Sequence, residues 1–232
     1  MTTSPRADQE GFTLLEITII LVIVGLLVSG VVKGQELVMQ ARVKETLNEL
    51  NGLTGAYFAY YDRYRALPGD DLRAGGTEGR WQIFGAKSGN NDGVVGGAYN
   101  QAPPGLATFD PATDPTQEAL NFWWHMRLAG FVSGATTGKG AYSQPLNSMN
   151  GLVGVQNGGL GLYGLLVCSQ NLPDRIATAV DTQLDDQRSS TGTVRARLTT
   201  GDSSIPVGGP GSDAAPDYVE NGANIYVLCK LL

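Results

Sequence analysis

The 232-residue chain carries 16 Lys and Arg against 22 Asp and Glu, a formal net charge of −6 and a pI near 4.7, which disfavours a partner recognised by phosphate neutralisation, such as nucleic acid. One histidine and two widely spaced cysteines, Cys168 and Cys229, rule out a Cys/His zinc site. The length suits one anchor segment plus one globular domain of ordinary size.

Residues 1–11 are short and polar, with Arg6 the one basic side chain and Asp8 and Glu10 close to Gly11. Residues 12–32, FTLLEITIILVIVGLLVSGVV, follow with a single ionisable side chain, Glu16. As a helix they rise roughly 32 Å, enough to cross the hydrocarbon core of a bilayer. A carboxylate in such a segment costs roughly 2.5–3.5 kcal/mol near the bilayer centre, so Glu16 reads as a functional residue awaiting a partner. The run is too long for a secretory signal peptide, and no small-residue cleavage site follows it.

The motif Gly11-Phe-Thr-Leu-Leu-Glu16 and the apolar run behind it resemble the processing signal of type IV prepilins and type II secretion pseudopilins. The resemblance implies that a prepilin peptidase cuts between Gly11 and Phe12 and methylates the Phe12 amine. It implies that Glu16 neutralises the Phe12 amine of a neighbouring copy in a helical filament, and that an assembly ATPase and a platform protein are further partners. The chain would sit in the inner membrane with its head on the periplasmic side, then in an extracellular pilus or a periplasmic pseudopilus. It departs from the family in lacking Lys or Arg beside the cleavage glycine. Lys33 also stands where many pilins have a helix-breaking proline; Gly25, Gly30 and Gly34 are the weak points there, each by up to about 1 kcal/mol relative to Ala. The implied compartment is oxidising, so Cys168 and Cys229 are expected to form a disulfide, with two buried thiols as the alternative.

Residues 33–66 continue the helix amphipathically. Val43, Leu50, Tyr57 and Tyr64 recur every seven residues, with Leu47, Thr54 and Tyr61 interleaved, a stripe that predicts burial of one side against a sheet. Pro68 and Gly69 end the helix at Leu67 or just before it. Residues 67–232 form an acidic head, beginning with a loop rich in Gly, Asn, Asp and Pro. In Ser88-Gly-Asn-Asn-Asp-Gly93 the oxygens of Asn90 and Asp92 resemble half of a calcium loop, which Asp70 or Asp71 would supplement; Ser88 and Tyr99 stand where acidic ligands belong, and a plain Asn-Asp-Gly turn is the alternative. Asp114-Pro-Thr-Gln117 opens a helix with an N-cap, a proline at its first position and a capping box, and Gly130 stops it. His125 lies between the apolar rows of that helix and, without a second ligand or nucleophile, reads as a satisfied core histidine.

Strands are expected at 159–168, 192–198 and 223–231, with a shorter one at 151–155, and a helix at 173–184. Asp185 and Asp186 sit where capping and turn formation are the default roles, with cation binding as the other reading. The expected fold is α+β: a long N-terminal helix on a roughly four-stranded antiparallel sheet, of the type IV pilin kind, with a long α–β loop. The expected function is assembly as a major or minor pilin. A type II secretion pseudopilin is the alternative, and a membrane-anchored enzyme or ligand-binding domain finds no catalytic motif to support it.

Overall fold

A computed structural model describes residues 13–199, 205, 207 and 217–232. Gly11 and Phe12, the expected cleavage and methylation positions, lie outside the described residues. The elements run α1 (Leu14–Tyr64), α2 (Glu118–Leu128), α3 (Lys139–Tyr142), β1 (Val153–Gly159), β2 (Leu162–Pro173), α4 (Asp174–Leu184), β3 (Val194–Leu198) and β4 (Ile225–Leu231). The protein is therefore α+β, with a long N-terminal helix and a four-stranded antiparallel sheet in the order β1-β2-β4-β3. The chain divides into two compact units, Met1–Ala41 and Arg42–Leu232.

In the first unit the apolar part of α1 is uncovered. Its most apolar window has a mean hydropathy of 2.7 with none of it buried, and it is long and apolar enough to cross a membrane. Exposure continues through Leu37 and Val38, so burial begins at Val43 and not at residue 33, where the amphipathic part was expected to start.

In the second unit α1 buries Val43, Thr46, Leu50 and Tyr60. The stripe is the expected one with a correction: Tyr61 is exposed and Tyr60 takes its place. A straight helix drifts about 20° per heptad, so the buried side turns away from a strict seven-residue repeat as the helix proceeds. Tyr60 lands under the long loop, where Trp81, His125 and Phe131 surround its ring. The helix ends at Tyr64, since Arg65 adopts a positive φ.

The sheet corrects several strand boundaries. β2 runs to Pro173, so Cys168 lies in mid-strand instead of ending one; of the residues expected at its start, Gly159 ends β1, and Leu160 and Gly161 form the β1–β2 turn. Side-chain alternation and register put Val153, Val167, Leu228 and Lys230 on one face of the sheet. Lys230 of that face donates to the Thr54 hydroxyl of α1 at 2.8 Å. Leu166, Cys168, Val227 and Cys229 lie on the other face and pack with Tyr99 of the long loop and with Ile205. The central strands are thus covered on both faces. At Gly154 the loop comes so close that an added Cβ would sit 1.9 Å from the Tyr99 carbonyl oxygen, so only glycine fits there.

Cys168 and Cys229 are bonded to each other. They stand directly opposite in the β2–β4 register, and their Cα atoms are 4.0 Å apart. The sequence separation of 61 residues corresponds to about 4 kcal/mol in the chain-entropy treatment, on the upper side of what such crosslinks deliver. Replacing both cysteines by Ser is expected to lower the melting temperature by on the order of 10 °C. Alkylation of the denatured, unreduced protein should label neither residue; labelling of both would refute the crosslink.

Candidate functional site

The expected assembly site begins at the N-terminus of α1. Thr13 accepts the backbone N–H of Glu16 on its hydroxyl at 3.2 Å, which starts the helix and sets Glu16 in its first turn. The Glu16 side chain is exposed, and none of the ion pairs among the described residues involves it. An unopposed carboxylate at the mouth of an uncovered apolar helix can accept a cation from another molecule. None of the described residues of its own unit pairs with it.

The second set of expected residues lies in the long loop. Asn90 and Asp92 form the turn that was the alternative to a calcium loop: the Asp92 N–H donates to Asn90 Oδ1 at 3.0 Å, and the Val94 N–H to Asp92 Oδ1 at 2.9 Å. Of the two candidate supplements, Asp70 joins Asp92 and Asp71 does not. Asp70 accepts the Asp92 and Gly93 N–H groups at 3.1 and 2.9 Å. Asp71 instead takes the Tyr60 hydroxyl at 2.8 Å and pairs with Arg80.

A residue that the sequence reading passed over completes the cluster. Glu118, fully buried at the start of α2, brings a carboxylate oxygen within 4.8 Å of the ligand atoms of Asp70 and Asp92. Its two oxygens accept the Asn90 and Gly96 N–H groups, each at 3.1 Å. Three carboxylates so placed could hold a hard divalent cation. Each carboxylate oxygen of Asp70 and Glu118 at the same time accepts one loop amide. Burial, foremost, raises the Glu118 pKa to about 7, with Asp70 and Asp92 adding to the rise against the lowering effect of the two N–H bonds.

Glu118 belongs to a polar row, Glu118, Asn121 and His125, all fully buried. Such a row at helical spacing reads from sequence as a solvated face. Here it faces loop backbone. Asn121 donates to the Gly69 carbonyl at 2.9 Å, and the Gly69 N–H donates to His125 Nδ1, also at 2.9 Å. With Nδ1 accepting, the ring carries its proton on Nε2 and donates it to the Lys87 carbonyl at 2.8 Å. His125 is the satisfied core histidine that was expected, its pKa pulled down to about 4, chiefly by burial. Gly69 has φ +96, and an added Cβ would lie 2.6 Å from the Glu118 carbonyl oxygen, so this crossing of loop and helix admits glycine alone.

Asp114 accepts the Thr116 N–H and caps a short 3-10 turn, Pro115–Gln117, that leads into α2; the expected capping box does not close, because Gln117 Oε1 accepts the Asp110 N–H at 2.8 Å and its amide donates to Asp114. The capping and turn roles expected of Asp185 and Asp186 do hold. Asp185 receives the N–H groups of Thr193 and Val194, and Asp186 those of Arg188 and the Thr191 hydroxyl. Asp181, one turn earlier, is buried and accepts the Tyr218 hydroxyl at 2.7 Å; desolvation raises its pKa to about 6. Neither Asp181 nor Glu118 was distinguishable in sequence from a surface acid.

Two outcomes test this site. As the chain's one histidine, His125 can be titrated by NMR without ambiguity, and its midpoint is expected near 4 with the proton on Nε2. Its folded pKa lies below the unfolded value of about 6.5, so the stability it contributes at neutral pH is lost as pH falls from 6.5 towards 4. Glu118 has the opposite sign: raised from 4.5 to about 7, it makes the folded state more stable as pH falls through that window. Glu118→Gln should remove that part of the pH dependence. It should also lower stability by about 1–3 kcal/mol, because an amide nitrogen would face a backbone N–H; thermal melts from pH 4.5 to 8 in a chelator measure both.

The chain matches no protein-family model, no curated protein and no solved structure.

Proposed function

We propose that the protein is a filament subunit of the type IV pilin class, a pilin that polymerises from the inner membrane after cleavage at Gly11 and methylation of Phe12. The observation that carries the reading is the apolar start of α1. From Leu14 to Val32 it exposes large hydrophobic side chains, with Glu16 as its one charge. Such a surface is stable in lipid, or against copies of itself. The carboxylate decides between the two. In lipid it is a liability of several kcal/mol, whereas beside the Phe12 amine of a neighbouring copy it becomes half of an ion pair in a medium of low dielectric.

Pairing therefore favours polymer over lone subunit and fixes the axial register of adjacent helices. The α+β layout, with the second part of α1 against an antiparallel sheet and a disulfide joining the last strand to β2, is compatible with a pilin head. A prepilin peptidase, an assembly ATPase and a platform protein are the partners this reading requires.

Intact-mass analysis of assembled material should give a chain beginning at Phe12 with one added methyl group; retention of residues 1–11 would overturn the reading. Glu16→Ala should leave cleavage and membrane insertion intact while abolishing filaments. Glu16→Gln, which keeps shape and removes charge, should fail in the same way. Normal filaments from both variants would show that the carboxylate has no part in assembly.

A further inference from the structure

The chain holds four Asn-Gly pairs: Asn51–Gly52, Asn150–Gly151, Asn157–Gly158 and Asn221–Gly222. In such a pair the glycine nitrogen can attack the asparagine side-chain carbonyl, and no Cβ on the glycine hinders it. A base on the glycine N–H and donors on the carbonyl oxygen, where negative charge develops, both speed that step.

Asn221–Gly222 has both. The pair lies in the exposed turn that leads into β4, and Gly222 has φ +77. Its N–H donates to Asp174 Oδ2 at 2.6 Å, within reach for proton transfer. Asp174 is 2% exposed, and its carboxylate also accepts the N–H groups of Arg175 at 2.7 Å and Asn221 at 2.8 Å, which fix its aim. The electrophile is prepared as well. Asn221 Oδ1 accepts the N–H groups of Ala223 and Asn224, both at 2.9 Å, the arrangement of an oxyanion hole.

The other pairs are built differently. Asn51 is inside α1 and Asn157 inside β1, where regular backbone pairing resists ring closure. After Asn150, the Gly151 N–H donates to Asn147 Oδ1 at 2.7 Å, and a neutral amide oxygen is no base. Asp92–Gly93 has a similar turn, with the Gly93 N–H on Asp70 at 2.9 Å, but an ionised carboxylate at residue 92 offers no leaving group.

We propose that Asn221 is a self-modification site with Asp174 as its general base. As Asp174 Oδ2 takes the Gly222 proton, a bond forms between Gly222 N and Asn221 Cγ. The Cγ–Nδ2 bond then breaks, and Nδ2 leaves as ammonia with that proton, which closes a five-membered succinimide and restores the Asp174 carboxylate. Water opens either imide C–N bond, giving aspartate at position 221 or its β-linked isomer. Ring closure strips Gly222 N of its hydrogen, so Asp174 loses a donor. Asp174 begins α4, and its own N–H reaches the Asn224 carbonyl at 3.0 Å. The reaction therefore loosens the joint between α4 and β4, slowly and irreversibly. It does not depend on the filament reading.

The test follows all four pairs by peptide mass spectrometry, resolving asparagine, succinimide, aspartate and its β-linked isomer. The full chain is incubated folded in detergent micelles and, in parallel, unfolded in urea. In the folded chain Asn221 should react about tenfold or more faster than each other pair, and faster than it does itself in urea. Its folded rate should stay level between about pH 6 and 8, because a carboxylate base is already ionised there, whereas the urea rate should climb with hydroxide. Asp174→Asn should slow Asn221 about a hundredfold or more. Should that variant not fold, the wild-type pH profile and the folded-to-urea ratio decide alone. A different pair reacting fastest in the folded chain, an Asn221 that reacts faster in urea, or a folded Asp174→Asn chain that keeps the wild-type rate each overturns the proposal.

Discussion

The head depends on one arrangement: a helix whose buried side is polar because it must satisfy the backbone of a loop. The loop that follows α1 has no regular partner for its amides and carbonyls, and a buried peptide group without a partner is costly. Glu118, Asn121 and His125 supply those partners from successive turns of α2, reaching Asn90, Gly96, Gly69 and Lys87. Against the far side of His125 lies the Tyr60 ring, stacked within 6° of parallel, and the Tyr60 hydroxyl continues into Asp71 and Arg80. One buried knot thus joins the end of α1, the loop and α2. Each member is neutral or paired, which is what allows it to be buried.

Once the loop is held in this way it can act as a second layer. Tyr99, carried on it, covers the disulfide face of the sheet, while α1 covers the opposite face through Thr54 and Lys230. This explains why β2 and β4 are buried on both sides although the sheet is antiparallel. The Cys168–Cys229 bond lies under that loop-made layer, so crosslink and cover stabilise the same two strands.

The N-terminal unit obeys a different rule. Its helix has no core of its own to join, and Leu14, Leu21, Leu26 and Leu27 are as exposed as surface lysines would be. Water cannot be the solvent for such a surface. Lipid is one solvent that suits it, and a carboxylate such as Glu16 is costly there.

Patterns of period and punctuation were enough to settle, from sequence, that α1 exists and is apolar at its start, that Asp114 caps the turn leading into α2 and Gly130 follows its end, that strands cluster after residue 150, and that His125 serves the core. These are local matters: hydrophobic spacing, a proline, a glycine with positive φ, an Asx side chain two residues from an amide. Tertiary structure alone decided the rest. Tyr60 displaces Tyr61 because a loop that follows the helix packs over it, and Cys168 lies in mid-strand because pairing with β4 carries β2 on to Pro173. Glu118 and Asp181 look like ordinary surface acids in the sequence, since the amides and hydroxyl that bind them come from 22 to 37 residues away. Which polar residues are buried depends on where the chain returns, and no local period records that.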